Sequence, residues 1–239
     1  MKKNKKFLYF FLVLMLILAS VFYFNKIQKE NTKIFECGDD IFDYEGDVYK
    51  TAKIGDNCWT TANLNSSKNN EGKNIKTRCY ENNLINCNSF GGLYDYRTAF
   101  DGGAETPVKG ICPSGWSIPS KDEYNSLLKE LIIFDLCEGD TKEGKYICEK
   151  DNYLNEIGKN FLNSDYGGSC DLVCDYEECV YNCSGLECRH SFIYYDKSEN
   201  NRFVVGGRVY VDSCGEEKVK IGFLDGGFDS LLSVRCVKD

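Results

Sequence analysis

Fourteen cysteines in a chain of 239 residues constrain this sequence more than any other feature. Cysteine at that density belongs to oxidising compartments, where disulfides persist. The count is even, so complete pairing is possible. Cys79 and Cys87 flank a short Asn-rich turn, and Cys137 and Cys148 bracket a charged loop. A Cys37–Cys58 bond would tie the start of the cysteine-bearing region to the hairpin that follows it. Cys170, Cys174, Cys179, Cys183 and Cys188 crowd together, with Cys214 further on, and their pairing is not readable from the sequence. The competing use of that cluster is a metal site. Cys170/Cys174 and Cys179/Cys183 are i, i+4 pairs, which on helices would put both sulfurs of each pair on one face. Structural zinc sites use shorter knuckles in reducing compartments, often with histidine, and the only histidine, His190, lies just outside the cluster. Disulfides are the expected state, with no metal and no cofactor.

The N-terminus agrees with export. Lys2, Lys3, Lys5 and Lys6 precede an apolar run over residues 7–24. That length is near the ~20 residues a helix needs to cross a bilayer and exceeds the ~7–15 of a cleavable signal core. Leu18-Ala19-Ser20 is a poor cleavage site, because bulky Phe22, Tyr23 and Phe24 follow. The expectation is a single-pass signal anchor, with the lysines holding the N-terminus in the cytoplasm and the C-terminal domain outside the cell or in the periplasm. Residues 1–24 are then stub and anchor, 25–36 a polar linker and 37–239 the ectodomain. Residues 1–33 carry a net charge of +6, so the total of −8 leaves −14 for the remainder. That acidity argues against nucleic acid as a partner and is compatible with neutral glycans, cations or other proteins.

Residues 47–54 alternate apolar and polar, turn at Gly55-Asp56-Asn57 and return through Cys58-Trp59-Thr60-Thr61, which predicts a hairpin. Residues 110–124 hold two of the three prolines together with Cys112 and Trp116. Pro113-Ser114-Gly115 reads as a tight turn, and Ile118, ahead of Pro119, is extended. Ser120 and Glu123 form a capping box. Tyr124, Leu127, Leu128 and Leu131 then recur at i, i+3, i+4 and i+7, predicting an amphipathic helix over 120–133. β-like runs close the chain at 202–205, 208–211, 219–223 and 232–237.

Four blocks follow one another in order. Ala52-Lys53-Ile54-Gly55 leads through Trp59 to Asn63-Leu64-Asn65. Cys79-Tyr80-Glu81-Asn82, Cys87 and Phe90-Gly91-Gly92-Leu93-Tyr94 run on to Ala99-Phe100-Asp101-Gly102. The third block is 110–124 with Leu127, and the fourth is Ser233-Val234-Arg235-Cys236-Val237-Lys238-Asp239. Across residues ~45–239 these resemble one bacterial family, the Fibrobacter succinogenes major paralogous domain. The resemblance implies an α+β, C-type-lectin-like fold with small antiparallel sheets and flanking helices, on an exported surface protein. It also implies Cys112–Cys236 as the long-range pair. The chain departs from the family pattern in a cysteine-rich insertion over 134–190, and in a missing strand whose place 219–223 would take. Both departures fall where lectin-like folds keep binding loops.

Candidates for chemistry are few. His190 with the adjacent Ser191 is the one available base and hydroxyl, and adjacency in sequence does not make a catalytic pair; a surface histidine is expected. Asp39-Asp40-Ile41-Phe42-Asp43 and Asp225-Gly226-Gly227-Phe228-Asp229 offer oxygen atoms on loops, but neither has the spacing of an EF-hand. Tyrosines can stack on sugars, which makes Tyr176, Tyr181, Tyr194 and Tyr195 the candidate ligand contacts around 165–195, with Tyr210 on a later strand. The function expected is non-enzymatic: adhesion or recognition of a glycan, an envelope polymer or a surface protein. The alternatives are a structural envelope component without a ligand and an enzyme on a lectin-like scaffold.

Overall fold

The structure, a computed structural model, describes residues 3–30, 35–101, 103, 105–140, 145–149, 153–162, 169–174, 179–184, 189–197, 204–214, 218–225 and 230–239. The chain divides into two compact units, residues 1–36 and 37–239. The first is built on one helix, α1 (Lys3–Glu30), whose sequence contains neither proline nor glycine to interrupt it. Tyr9, Phe10 and the side chains from 12 to 23 are all exposed. Among the described residues no helix is long and apolar enough to cross a membrane. The side chains of Phe7, Leu8, Phe11 and Phe24, which complete the run over 7–24, lie outside the described set, so the expected span is not shown by it.

The second unit is α+β. It opens with β1 (Ile41–Phe42) and β2 (Val48–Tyr49), then β3 (Thr51–Ile54) and β4 (Asn57–Thr60), which form the expected hairpin across Gly55-Asp56. Helices α2 (Leu84–Phe90) and α3 (Tyr96–Phe100) follow, then β5 (Trp116–Ser117) and α4 (Lys121–Leu131). The region read as an insertion supplies β6 (Cys137–Asp140), β7 (Lys145–Glu149), α5 (Glu156–Leu162), β8 (Ser169–Cys174) and β9 (Cys179–Ser184). The chain ends with β10 (Arg189–Lys197), β11 (Val204–Asp212), β12 (Lys218–Asp225), β13 (Ser230–Leu231) and β14 (Val237–Lys238). Among the described residues every strand pair is antiparallel, in sheets ordered β3-β4-β14-β5, β10-β11-β12-β7-β6 and β13-β8-β9, besides the β1-β2 pair.

Helix α4 begins where its capping box places it. Ser120 Oγ accepts from the Glu123 N–H (3.2 Å), and the Glu123 carboxylate accepts from the Ser120 N–H (2.7 Å). Its apolar stripe (Tyr124, Leu127, Leu128, Leu131) packs in one cluster with Trp59 and Val237, and with Phe192, Tyr194, Val209, Val211, Val219, Ile221 and Phe223 on one face of the five-stranded sheet. Tyr146 and Cys148 of β7 and Phe161 and Leu162 of α5 belong to the same cluster. Tyr146, Cys148, Phe161 and Leu162, within the region read as an insertion, are therefore part of the core. The sequence hides this, because β7 pairs with β12, some 70 residues later. The cysteines at i, i+4 lie on strands rather than helices: the register sets Cys170 opposite Cys183 and Cys174 opposite Cys179. Four disulfides join Cys37–Cys58, Cys79–Cys87, Cys112–Cys236 and Cys137–Cys148, the pairs named from the sequence. Cys183 and Cys214 each take part in a further disulfide.

Candidate functional site

The four sequence blocks meet along the C-terminal segment. The Thr60 N–H donates to Cys236 O (2.9 Å) and the Leu64 N–H to Val234 O (2.8 Å), while Tyr94 and Leu232 exchange both backbone bonds. Trp116 and Ser117 pair with Lys238 and Val237. At the centre Arg235, fully buried, donates through Nε to Asn63 Oδ1 (3.0 Å) and through one terminal nitrogen to Phe161 O (2.9 Å). Its guanidinium lies 4.1 Å from the Phe161 ring centroid and 5.1 Å from that of Phe192, as cation–π contacts require. Asn63 in turn donates to Phe90 O (2.8 Å). Gly91, at φ +83°, packs so close that a Cβ there would come 2.5 Å from Asn63 Cβ, so only glycine fits. Burial pushes the Tyr124 hydroxyl far above its ordinary pKa, with Arg235 opposing. Asn63, Tyr124, Phe161, Phe192 and Arg235 are sealed from solvent and tie distant segments of the chain together.

The surface beside this knot carries a cleft. Asp95 caps α3 by accepting from the Thr98 N–H (2.7 Å), and Asp101 ends the helix in the left-handed region at φ 48°. Asn69 donates to the Asp101 carboxylate (2.7 Å), and its own carbonyl accepts the N–H groups of Glu71 and Lys73 (3.0 and 2.9 Å). Gly110, at φ +51°, lies against the Ala99 carbonyl, where a Cβ would sit at 2.2 Å. The cleft so formed holds about 640 Å³, with Phe100 and Pro107 as apolar walls and Asn70, Glu71, Asp101, Glu105 and Lys109 as polar ones. Lys109 pairs with Asp239, which also accepts from Ser117. Burial raises the pKa of Asp239, but the hydrogen bonds from Lys109 and Ser117 outweigh it and hold the carboxyl below its usual range. The opening is wide enough for a small polar ligand and offers donors and acceptors side by side.

The candidates named from the sequence fall elsewhere. His190 is only 2 % exposed, stacked on Phe192 with centroids 5.8 Å apart, and not on the surface as expected. Successive strand residues point to opposite faces, so His190 and Ser191 on β10 do not face each other as base and nucleophile. Tyr194 and Tyr195 are 0 % and 7 % exposed, so neither offers a free ring face; a strand sandwiched in the core leaves no room. Tyr176 and the side chain of Tyr181 lie outside the described residues, as does most of the loop 225–229. Asp43 is spent on its own turn, accepting from the Glu45 and Asp47 N–H groups (2.9 and 3.0 Å) and from the Tyr49 hydroxyl (3.0 Å). Among the described residues no three His, Cys, Asp or Glu side chains stand where they could hold a metal ion. The cleft was missed because its walls come from separate loops; the only trace was the family pattern around Ala99-Phe100-Asp101 and Gly110.

Fold and site together define a disulfide-stapled α+β domain whose sequence blocks are spent on a common buried knot. The Fibrobacter succinogenes major domain matches residues 52–238, and the chain belongs to that family. No curated protein and no solved structure matches it.

Proposed function

We propose that the protein is a membrane-anchored bacterial surface module that recognises a glycan, an envelope polymer or a surface protein without catalysing a reaction. In this reading residues 7–24 are the anchor, the lysines before them stay in the cytoplasm, and 37–239 is a C-type-lectin-like domain facing outward. The observation that carries recognition is the cleft of about 640 Å³ between Phe100, Pro107 and the polar group Asn70, Glu71, Asp101, Glu105 and Lys109. A hydroxyl-rich ligand uses such a mixture, because its hydroxyls both donate and accept. A second reading, an envelope component with no ligand, draws support from the burial of Tyr194 and Tyr195.

The test is binding of the oxidised full chain, in detergent, to a panel of glycans, cell-wall polymers and envelope proteins. Wild type is compared with Glu105→Gln and Phe100→Ala, with and without a calcium chelator. Selective binding that weakens about tenfold in either variant supports the cleft, a tenfold loss being about 1.4 kcal/mol; the chelator is expected to change nothing. Failure to bind any member moves the assignment to the structural reading. Alkaline extraction tests the anchor, and the chain is expected in the membrane pellet.

A further inference from the structure

Resting on the recognition reading, a second depression says more about the ligand. The five-stranded sheet buries one face in the core, and its opposite face carries a groove of about 390 Å³. The register there sets Glu138, Ile147 and Lys220 in one row across β6, β7 and β12, at strand spacings of about 4.8 Å. Ile147 is 46 % exposed despite its place on an inner strand. Tyr210 of β11 stands opposite Gly222 of β12, and its side chain fills the space the glycine leaves: a Cβ at 222 would come 2.8 Å from the hydroxyl oxygen and 3.1 Å from Cζ. Tyr210 thus reaches over β12 and walls the groove beside Ile147. Neighbouring charges on the sheet are matched elsewhere. Asp212, opposite Lys220, is held by Arg189 (3.0 and 2.6 Å), and Glu149 pairs with Lys218 (3.4 Å). Among the described residues Lys220 and Glu138 carry no ion pair.

We infer that this groove binds a neutral pyranose unit of a glycan. A purely apolar ligand would strip water from Lys220 and Glu138 without replacing it. An anion would meet Glu138, and a cation would meet Lys220 and Lys145, which also lines the groove. A pyranose ring presents C–H groups to Tyr210 and Ile147, and its hydroxyls donate to Glu138 and accept from Lys220. The volume lies within the range of about 300–1,000 Å³ usual for small-ligand sites.

Isothermal titration of the full chain in detergent with cellohexaose, chitohexaose and maltohexaose tests this. At least one hexasaccharide is expected to bind. Tyr210→Ala is expected to weaken it about tenfold, Lys220→Ala about threefold, and Tyr210→Phe, which keeps the ring, less than threefold. Should Tyr210→Ala fail to fold, Ile147→Asp at an exposed position reads the same surface and is expected to abolish binding. No binding of any hexasaccharide, or binding that ignores Tyr210→Ala and Ile147→Asp, overturns the groove. Hexasaccharide binding lost only in Glu105→Gln overturns the groove while the cleft stands, whereas silence across the whole polymer and protein panel fails the recognition reading itself.

Discussion

Asn63 and Arg235 are 172 residues apart in the sequence and bonded at 3.0 Å in the fold. Replacing Asn63 with Ala removes the Nε acceptor from a fully buried guanidinium and a donor from Phe90 O. The expected cost is about 2–4 kcal/mol in urea unfolding, and a change below 1 kcal/mol would show that the knot is not structural. A second residue sets a pH dependence. Glu45 accepts from the Ser67 hydroxyl (2.8 Å) and N–H (2.6 Å), which hold its carboxyl below the usual range. A depressed acid stabilises the folded state above its unfolded pKa, and that gain is lost as pH falls through the folded value. Asp47, pushed up by burial and by Asp43 and Glu45, works in the opposite sense. Wild type should therefore be more stable than Glu45→Gln at neutral pH, with the difference closing below about pH 4; a gap that persists in acid would contradict this. In the sequence Arg235 stood only as a member of the fourth block, and its partners were not legible, since nothing local names an acceptor so many residues away.

Elements specified by neighbouring residues were the legible ones. Helix α4 follows from Ser120, Glu123 and four apolar positions within twelve residues, and Ser120→Ala should cost about 1 kcal/mol in thermal or urea unfolding. The β3–β4 hairpin is legible for the same reason. The hairpin β8–β9 shows the opposite case. Its cysteine spacing fits one face of a helix as well as one face of a strand, since i and i+4 share a face in both, and only the strand register resolves it. Cys137 and Cys148 are register partners joined by a disulfide. By the same geometry the register predicts Cys170–Cys183 and Cys174–Cys179, leaving Cys188 for Cys214. Peptide mapping of the unreduced protein should recover those pairs; a Cys170–Cys174 bond would contradict the hairpin.

At the scale of the molecule, the sheet order β10-β11-β12-β7-β6 joins the cysteine-rich region to the C-terminal strands. No periodicity encodes that order, because strand alternation tells which face is buried but not which strand lies alongside. The Cys112–Cys236 bond spans a sequence separation of 124 and fixes the turn before α4 to the central C-terminal segment. Opening it by the double change Cys112→Ala, Cys236→Ala should cost up to about 5 kcal/mol in the chain-entropy account. We propose that the disulfide-stapled core positions recognition surfaces made of loops and an open sheet face. The most direct test of this is binding of the full chain to the glycan, polymer and protein panel, before and after reduction of the disulfides. Selective binding by the oxidised chain, lost on reduction, is the result expected. No selective binding by the oxidised chain, or binding unchanged after complete reduction, would contradict it.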